Sequence, residues 1–394
     1  MRPARLLQRL LALALGLLAC AGAAAAPRIG VMTMQPGEVF FERFGHDAIV
    51  LVDPASGQVL SYNFGAFDPS EPDFLGNFVH GRMMYYLVEL PLQEDLASYR
   101  EEGRGVSIQW LDLDAAQAQA LADALAVEAR PENARYPYDY FTSNCATRVR
   151  DAIDGALGGE LKKQLESRSD GSSYRSESVR LASPAWWMWS GFDLGFGPTA
   201  DRPLSLWEAA FIPMRLARAL GEARNSEGRP LVESEQVLLP QRIAPEPQTA
   251  PWRIWPWLLA GIAAAVALLP LRRRPRTLGA LLLPFWLLCG LGGALMLFIW
   301  FGSAHTAGWA NRNLLLLDPL CLLLLPAALA LLRVRAPVRW QRVLAWTVAA
   351  GAALAWVLLW FPFDHQDNRR WVALLLPLHV SIAYVCALQR SLRR

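Results

Sequence analysis

The sequence predicts two unlike parts in one chain: an exported α+β domain followed by an all-α domain of five transmembrane helices. Three observations carry this reading. Residues 1–26 have the make-up of an export leader, the C-terminal third holds five apolar runs of spanning length, and the stretch between mixes strand and helix periodicities. Charge divides the chain at the same place. Pro27 to Pro251 carry 20 Lys and Arg against 32 Asp and Glu, whereas Trp252 to Arg394 carry 15 Arg, no Lys and 3 Asp. The formal net charge of +3 over 394 residues is therefore a cancellation. A nucleic-acid-binding chain gathers basic residues on a polar domain. Here the polar domain is acidic and the arginines sit between apolar runs, which excludes nucleic acid as a partner and excludes a wholly soluble protein.

In the leader, Arg2, Arg5 and Arg9 form a positive region, Leu10 to Leu18 an apolar stretch too short for a normal span, and Ala21 to Ala26 small residues of the kind that precede cleavage. A lipobox reading of Leu17-Leu18-Ala19-Cys20 and retention as an uncleaved anchor are the alternatives.

The outer domain, 27–221, opens on strand signals. Ala48 to Val52 stops at the turn residues Asp53-Pro54 and Ser56-Gly57, and Gln58 to Phe64 resumes, which predicts a hairpin. Met84 to Leu90 and Val106 to Leu113 predict further strands. Asp114 caps a helix from Ala115 to about Ala129, and a second helix follows Asn144, where Ala146, Val149, Ile153 and Leu157 share a face. Residues 222–251, with Gly, Glu, Pro and Gln and few aromatics, read as a linker.

The five runs in 252–394 lie at 254–271, 277–301, 314–332, 343–361 and 371–389. Eleven arginines fall in the loops after the first and third runs and at the C-terminus; four fall on the other side. The positive-inside rule then puts the 27–251 portion outside the cytoplasm and the C-terminus inside. Trp255, Trp300, Trp309, Trp340, Trp360 and Trp371 lie near run ends, as an interfacial belt requires.

Of the five cysteines, Cys20 belongs to the leader and Cys289, Cys321 and Cys386 to apolar runs, so Cys145 is the one thiol of the exported domain. A leftover cysteine in an oxidising compartment is a reactive thiol, an intermolecular link or a small buried hydrophobe. Its setting favours reactivity: cap residues Ser143-Asn144 precede it and a helical pattern follows. In a first helical turn, unpaired N–H groups and the helix dipole lower a thiol pKa and receive an oxyanion. Arg148 adds a positive charge one turn on. The outer domain holds two imidazoles, His46 and His80. His46 opens a strand after Gly45 and is the expected base; His80, beside a turn, reads as a surface residue. Asn63 shares a strand face with Val59 and Ser61, and either orients His46 or caps the strand end before Gly65.

Phe44-Gly45-His46-Asp47-Ala48-Ile49, Tyr62-Asn63-Phe64-Gly65 and Asn144-Cys145-Ala146-Thr147-Arg148, in this order ahead of five spans, resemble the Lnb-type lipoprotein N-acyltransferase family over nearly the whole mature chain. The order His, strand, Cys on a helix is also similar to circularly permuted papain-like enzymes. The resemblance implies a permuted papain-like periplasmic domain on a five-helix membrane domain, moving an acyl chain from a phospholipid donor to the N-terminal amine of a diacylated lipoprotein, with no cofactor. By motif, Cys145 would be the nucleophile, His46 its base and Asn63 an orienter. Asn144, Arg148 and the outer-loop residues His305, Asn311 and Asn313 are candidates for substrate binding, the loop residues alternatively for docking the outer domain. A zinc site is not expected, since two histidines and one cysteine without ligand spacing make a poor set. Two rivals stand: a thiol hydrolase on the same Cys–His centre, acting on cell-wall peptide or lipid ester, and a non-catalytic envelope factor that binds lipid or lipoprotein.

Overall fold

A run such as Ala48-Ile49-Val50-Leu51-Val52 has no polar side, and the fold accounts for it: both faces of its strand are covered. A computed structural model describes residues 26–251, 253–361 and 363–389. The predicted leader, apart from Ala26, and the arginines at 390, 393 and 394 lie outside the described residues. The outer domain is built on a seven-stranded antiparallel sheet: β1 (Arg28–Met34), β2 (His46–Val52), β3 (Val59–Ala66), β4 (Met84–Pro91), β5 (Val106–Leu111), β6 (Arg135–Pro137) and β7 (Val232–Leu239), in the spatial order β6-β4-β3-β2-β1-β5-β7. Its helices are α1 (Phe74–His80), α2 (Leu92–Glu102), α3 (Ala115–Glu128), α4 (Cys145–Ala156), α5 (Glu160–Glu166), α6 (Tyr174–Ala182), α7 (Trp186–Gly195), α8 (Leu206–Ala209) and α9 (Pro213–Glu222).

On one sheet face Ile49, Leu51, Tyr62 and Phe64 meet Leu121 and Leu125 of α3 and Ala146, Val149 and Ile153 of α4. On the other, Met32, Met34, Ala48 and Val50 meet Leu96 of α2. Strand alternation thus sends odd-numbered residues of β2 toward α4 and even-numbered ones toward α2. The hairpin, the strands at 84–90 and 106–113 and the two helices occur close to where periodicity puts them. β1 escapes the sequence reading because Gly30 weakens its local pattern, and pairing to β2 and β5 holds it instead. The reading of 222–251 as linker needs a correction: Val232–Leu239 pairs with β5 as an edge strand. Its Glu233, Ser234, Glu235 and Gln236 are what a strand open to water on one edge carries, and so resemble tether composition.

The membrane part contains α10 (Trp255–Leu268), α11 (Pro275–Gly302), α12 (Leu325–Leu332), α13 (Arg339–Leu358) and α14 (Arg369–Leu388). Among the described residues four helical segments are long and apolar enough to cross a membrane, and a bent pair makes up to five when it is taken as one span. That pair corrects the third predicted span: 314–332 is not one helix but Thr306–Leu315 and Pro319–Leu332 meeting at 43°. Pro319 forces Asp318 into an extended conformation (φ −77°, ψ 124°), and the Asp318 side chain then accepts from Leu320 N at 2.9 Å to cap the restart. Gly293 of α11 lets the break lie against it, because a Cβ there would collide with Leu317 O and Pro319.

Candidate active site

The β2–β3 ladder runs from Val52↔Val59 to Ala48↔Asn63 and stops, although β2 begins at His46 and β3 continues to Ala66. The strands part there. Gly65 takes φ +102°, and a Cβ built on it would lie 3.8 Å from Cys145 Cβ. Cys145 therefore reaches the parted strand ends from the α4 face, while His46, an even-numbered residue of β2, reaches them from the α2 face.

Cys145 is the first residue of α4, and Asn144 is its N-cap: Asn144 Oδ1 accepts from Thr147 N at 2.9 Å. The backbone N–H groups of Asp47, Ala146 and Cys145 itself point at the sulfur and favour its anion. The sequence leads one to expect a lowered thiol pKa, but burial outweighs these donors. With the charge of Asp47 adding to it, burial pushes the Cys145 thiol up to about 12, though part of the residue's surface stays open. Asp47 itself, fully buried with Thr33 Oγ1 donating to it at 2.7 Å, is pushed up to about 7 by the same cause.

His46 is held by a chain of side chains. Its Nε2 lies 3.0 Å from Asn63 Oδ1, Asn63 Nδ2 donates to Asp95 Oδ2 at 2.9 Å, and Ser61 Oγ donates to the same oxygen at 2.7 Å. Since Asp95 accepts from the amide nitrogen, the amide oxygen faces the ring. Nε2 must then carry the proton, which leaves Nδ1 as the basic nitrogen. Burial lowers the His46 pKa, against the opposing pull of Asn63 and Asp95. Among the described residues no hydrogen bond joins thiol and ring, and burial keeps the thiol protonated and the tautomer-defined imidazole neutral near pH 7.

Asp95 and Ser61 are the members that sequence reasoning missed. Ser61 shares a strand face with Asn63, which the alternation of β3 implies; nothing local marks Asp95, which sits in the first turn of α2. The other candidates are engaged elsewhere. Asn144 Nδ2 donates to Tyr140 O and Phe211 O, both at 2.9 Å, so its amide is consumed in capping and closing the loop. Arg148 lies over the Tyr136 ring at 4.2 Å and 3.7 Å from Glu128. Asn311 donates to Leu194 O at 2.8 Å and Gly195 O at 2.9 Å, and Asn313 to Leu194 O at 2.9 Å, so both dock the end of α7. His305 Nε2 meets Phe78 O at 2.9 Å. His80 is not a free surface residue: its ring packs on Phe298 of α11, with centroids 5.6 Å apart.

Gly65→Ala tests the parted ladder. The added Cβ would be in ordinary contact with Cys145, so the cost comes from φ +102°, which strains any L side chain. We expect the variant to lose about 1–3 kcal/mol and to displace the strand end beside the sulfur, visible as a lowered apparent Tm and slower alkylation of Cys145.

Two family models match the chain: the Lnb N-terminal periplasmic domain over residues 23–183 and the Lnb transmembrane domain over residues 247–391. No curated protein and no solved structure matches it.

Proposed function

Because the chain belongs to the Lnb family, with one family model on its periplasmic part and the other on its membrane part, we propose that it is a thiol acyltransferase of lipoprotein processing, anchored in the bacterial inner membrane with its C-terminus in the cytoplasm. The observation that carries this reading is the tautomer-defined His46, held by Asn63 and Asp95, at the strand ends where Cys145 lies among three backbone N–H groups.

The donor is a phospholipid. His46 Nδ1 takes the thiol proton as Sγ attacks the ester carbonyl, and the Cys145 and neighbouring N–H groups stabilise the oxyanion. Collapse breaks the ester C–O bond. The leaving alkoxide recovers the proton from His46 and departs as lysophospholipid, leaving a thioester on Cys145. The N-terminal amine of a diacylated lipoprotein then attacks the thioester carbonyl and loses a proton to His46. The thiolate leaves and is reprotonated, and an amide is formed. One hard transfer becomes two easier ones.

Mass spectrometry of lipoprotein N-termini, in cells lacking other N-acyltransferases, tests this. Expressing the chain should add one acyl group to the N-terminal amine and release lysophospholipid. Unmodified amines together with free fatty acid would mean that water, not amine, takes the thioester, and would overturn the transferase reading in favour of the hydrolase.

A further inference from the structure

Exposed large apolar side chains on the outer domain are gathered rather than scattered. Among the described residues, all but Val127 and Val237 fall in three places: Val39 to Phe41, α1 with its flanking strands and the Tyr140 loop, and Trp186-Trp187 at the start of α7. They are not marginal cases, with Phe41 63%, Leu75 72% and Trp186 74% exposed. Their rings form two runs that meet at the chain neighbours Phe40 and Phe41. Phe40 stacks on Trp187 at 6.0 Å, Phe41 meets Phe67 at 6.3 Å, and Phe67 stacks on Tyr85 at 5.0 Å. From Tyr85 the row passes to Tyr138 at 4.2 Å and on through Tyr140 to His305.

Two further facts orient this collar. It is fastened to the spans near both ends: Trp189 of α7 packs on Trp257 at the start of α10, and His80 of α1 packs on Phe298 near the end of α11. Those helix ends face the periplasmic side, since α10 leaves the periplasmic domain there. The collar also borders the candidate site. The turn Phe40–Phe44 leads through Gly45 into His46, and Tyr138 and Tyr140 stand in the loop that runs from β6 to Cys145.

A soluble face with this much apolar surface invites association. Here it continues the lipid-facing surface of the spans, where Leu288 of α11 is 71% exposed. We propose that the collar is sunk into the periplasmic leaflet and that its occupant is the acyl chains of that leaflet, so that a donor chain slides sideways from the bilayer to Cys145. Interfacial aromatic residues anchor at this depth. The inference deepens the acyltransferase reading and rests on it for the identity of the donor.

The test uses the full chain in nanodiscs containing phosphatidylcholine with a quencher on its acyl chain. Cys20→Ala and Cys145→Ala remove competing thiols, and a fluorophore is attached at Phe41→Cys, Leu75→Cys or Trp187→Cys, with Val127→Cys and Val237→Cys as controls. The collar positions should be quenched about threefold more than the controls. Equal quenching would overturn the proposal, as would probes that are shielded but not quenched, which would indicate a protein partner. This arm needs no activity, so it stands apart from any failure of the acyltransferase reading. A second arm keeps Cys145 and combines Phe41→Ser with Trp187→Ser. Turnover of vesicle phospholipid should fall about tenfold while that of a water-soluble short-chain ester is unchanged. An equal fall in both would mean that the collar supports the fold only, and would overturn it.

Discussion

Cys145→Ala is expected to lower acyl transfer by about a thousandfold or more while leaving the fold intact. Alanine suits the first turn of a helix, and the cap that starts α4 belongs to Asn144, whose amide bonds to Thr147, Tyr140 and Phe211 do not involve the sulfur. What is lost is the atom that would carry the acyl group. Trapping the acyl-enzyme with labelled phospholipid, alongside an apparent Tm within a degree or two of the parent, checks both halves. A variant that keeps its rate would sink the covalent mechanism. The pH profile of the parent gives a second reading. In the proposed reaction the neutral imidazole accepts the proton, and burial holds the His46 pKa below its usual 6.5. The part of the profile set by His46 should therefore hold above pH 6.5 and be lost as pH drops below it, where the ring gains its proton.

The second large effect concerns attachment of the outer domain. Arg175→Ala should cost about 3–5 kcal/mol and lower the apparent Tm by about 10 °C. Arg175 is 1% exposed, and its Nε donates to both oxygens of Asp201 at 2.8 and 2.9 Å. Its other nitrogens donate to the carbonyls of Asp193, Phe196 and Gly197 and approach the Asp193 carboxylate at 3.6 Å. Asp193 pairs in turn with Arg370 of α14 and accepts from Trp371 Nε1 at 2.8 Å, while Asp201 Oδ2 accepts from Asp367 N at 3.1 Å. Removing the guanidinium leaves Asp201 without its cation and takes from Asp193 one of its two, Arg370 remaining, at the point where the domains meet. Differential scanning fluorimetry in detergent checks the loss. Adding Asp201→Asn, which removes one stranded charge, should restore part of it; additive losses from the two changes would contradict the network.

Local chemistry made Cys145, His46 and Asn63 legible: a cap before a helix marks the first, and strand alternation gives the faces of the other two. Asp95 was not legible, because it comes from a helix 32 residues beyond Asn63 and its own neighbourhood resembles any acidic first turn. The outer-loop asparagines stand out in the sequence but their work does not, since a short polar loop looks the same whether it binds a ligand or docks a domain. The break at Asp318-Pro319 was visible as residues and was lost in averaging over an apolar run. The raised thiol pKa could not be seen at all: cap, dipole and Arg148 are local, whereas burial comes from the whole sheet closing around the sulfur.

That last feature bears on how the chain survives where it works. Peroxides and similar oxidants attack the thiolate, and the first product, a sulfenic acid, needs a second thiol to rescue it. Among the described residues of the periplasmic domain Cys145 is the only cysteine. A sulfur that burial keeps protonated offers such oxidants little to react with, which matters in a domain whose described residues hold no second cysteine to repair it.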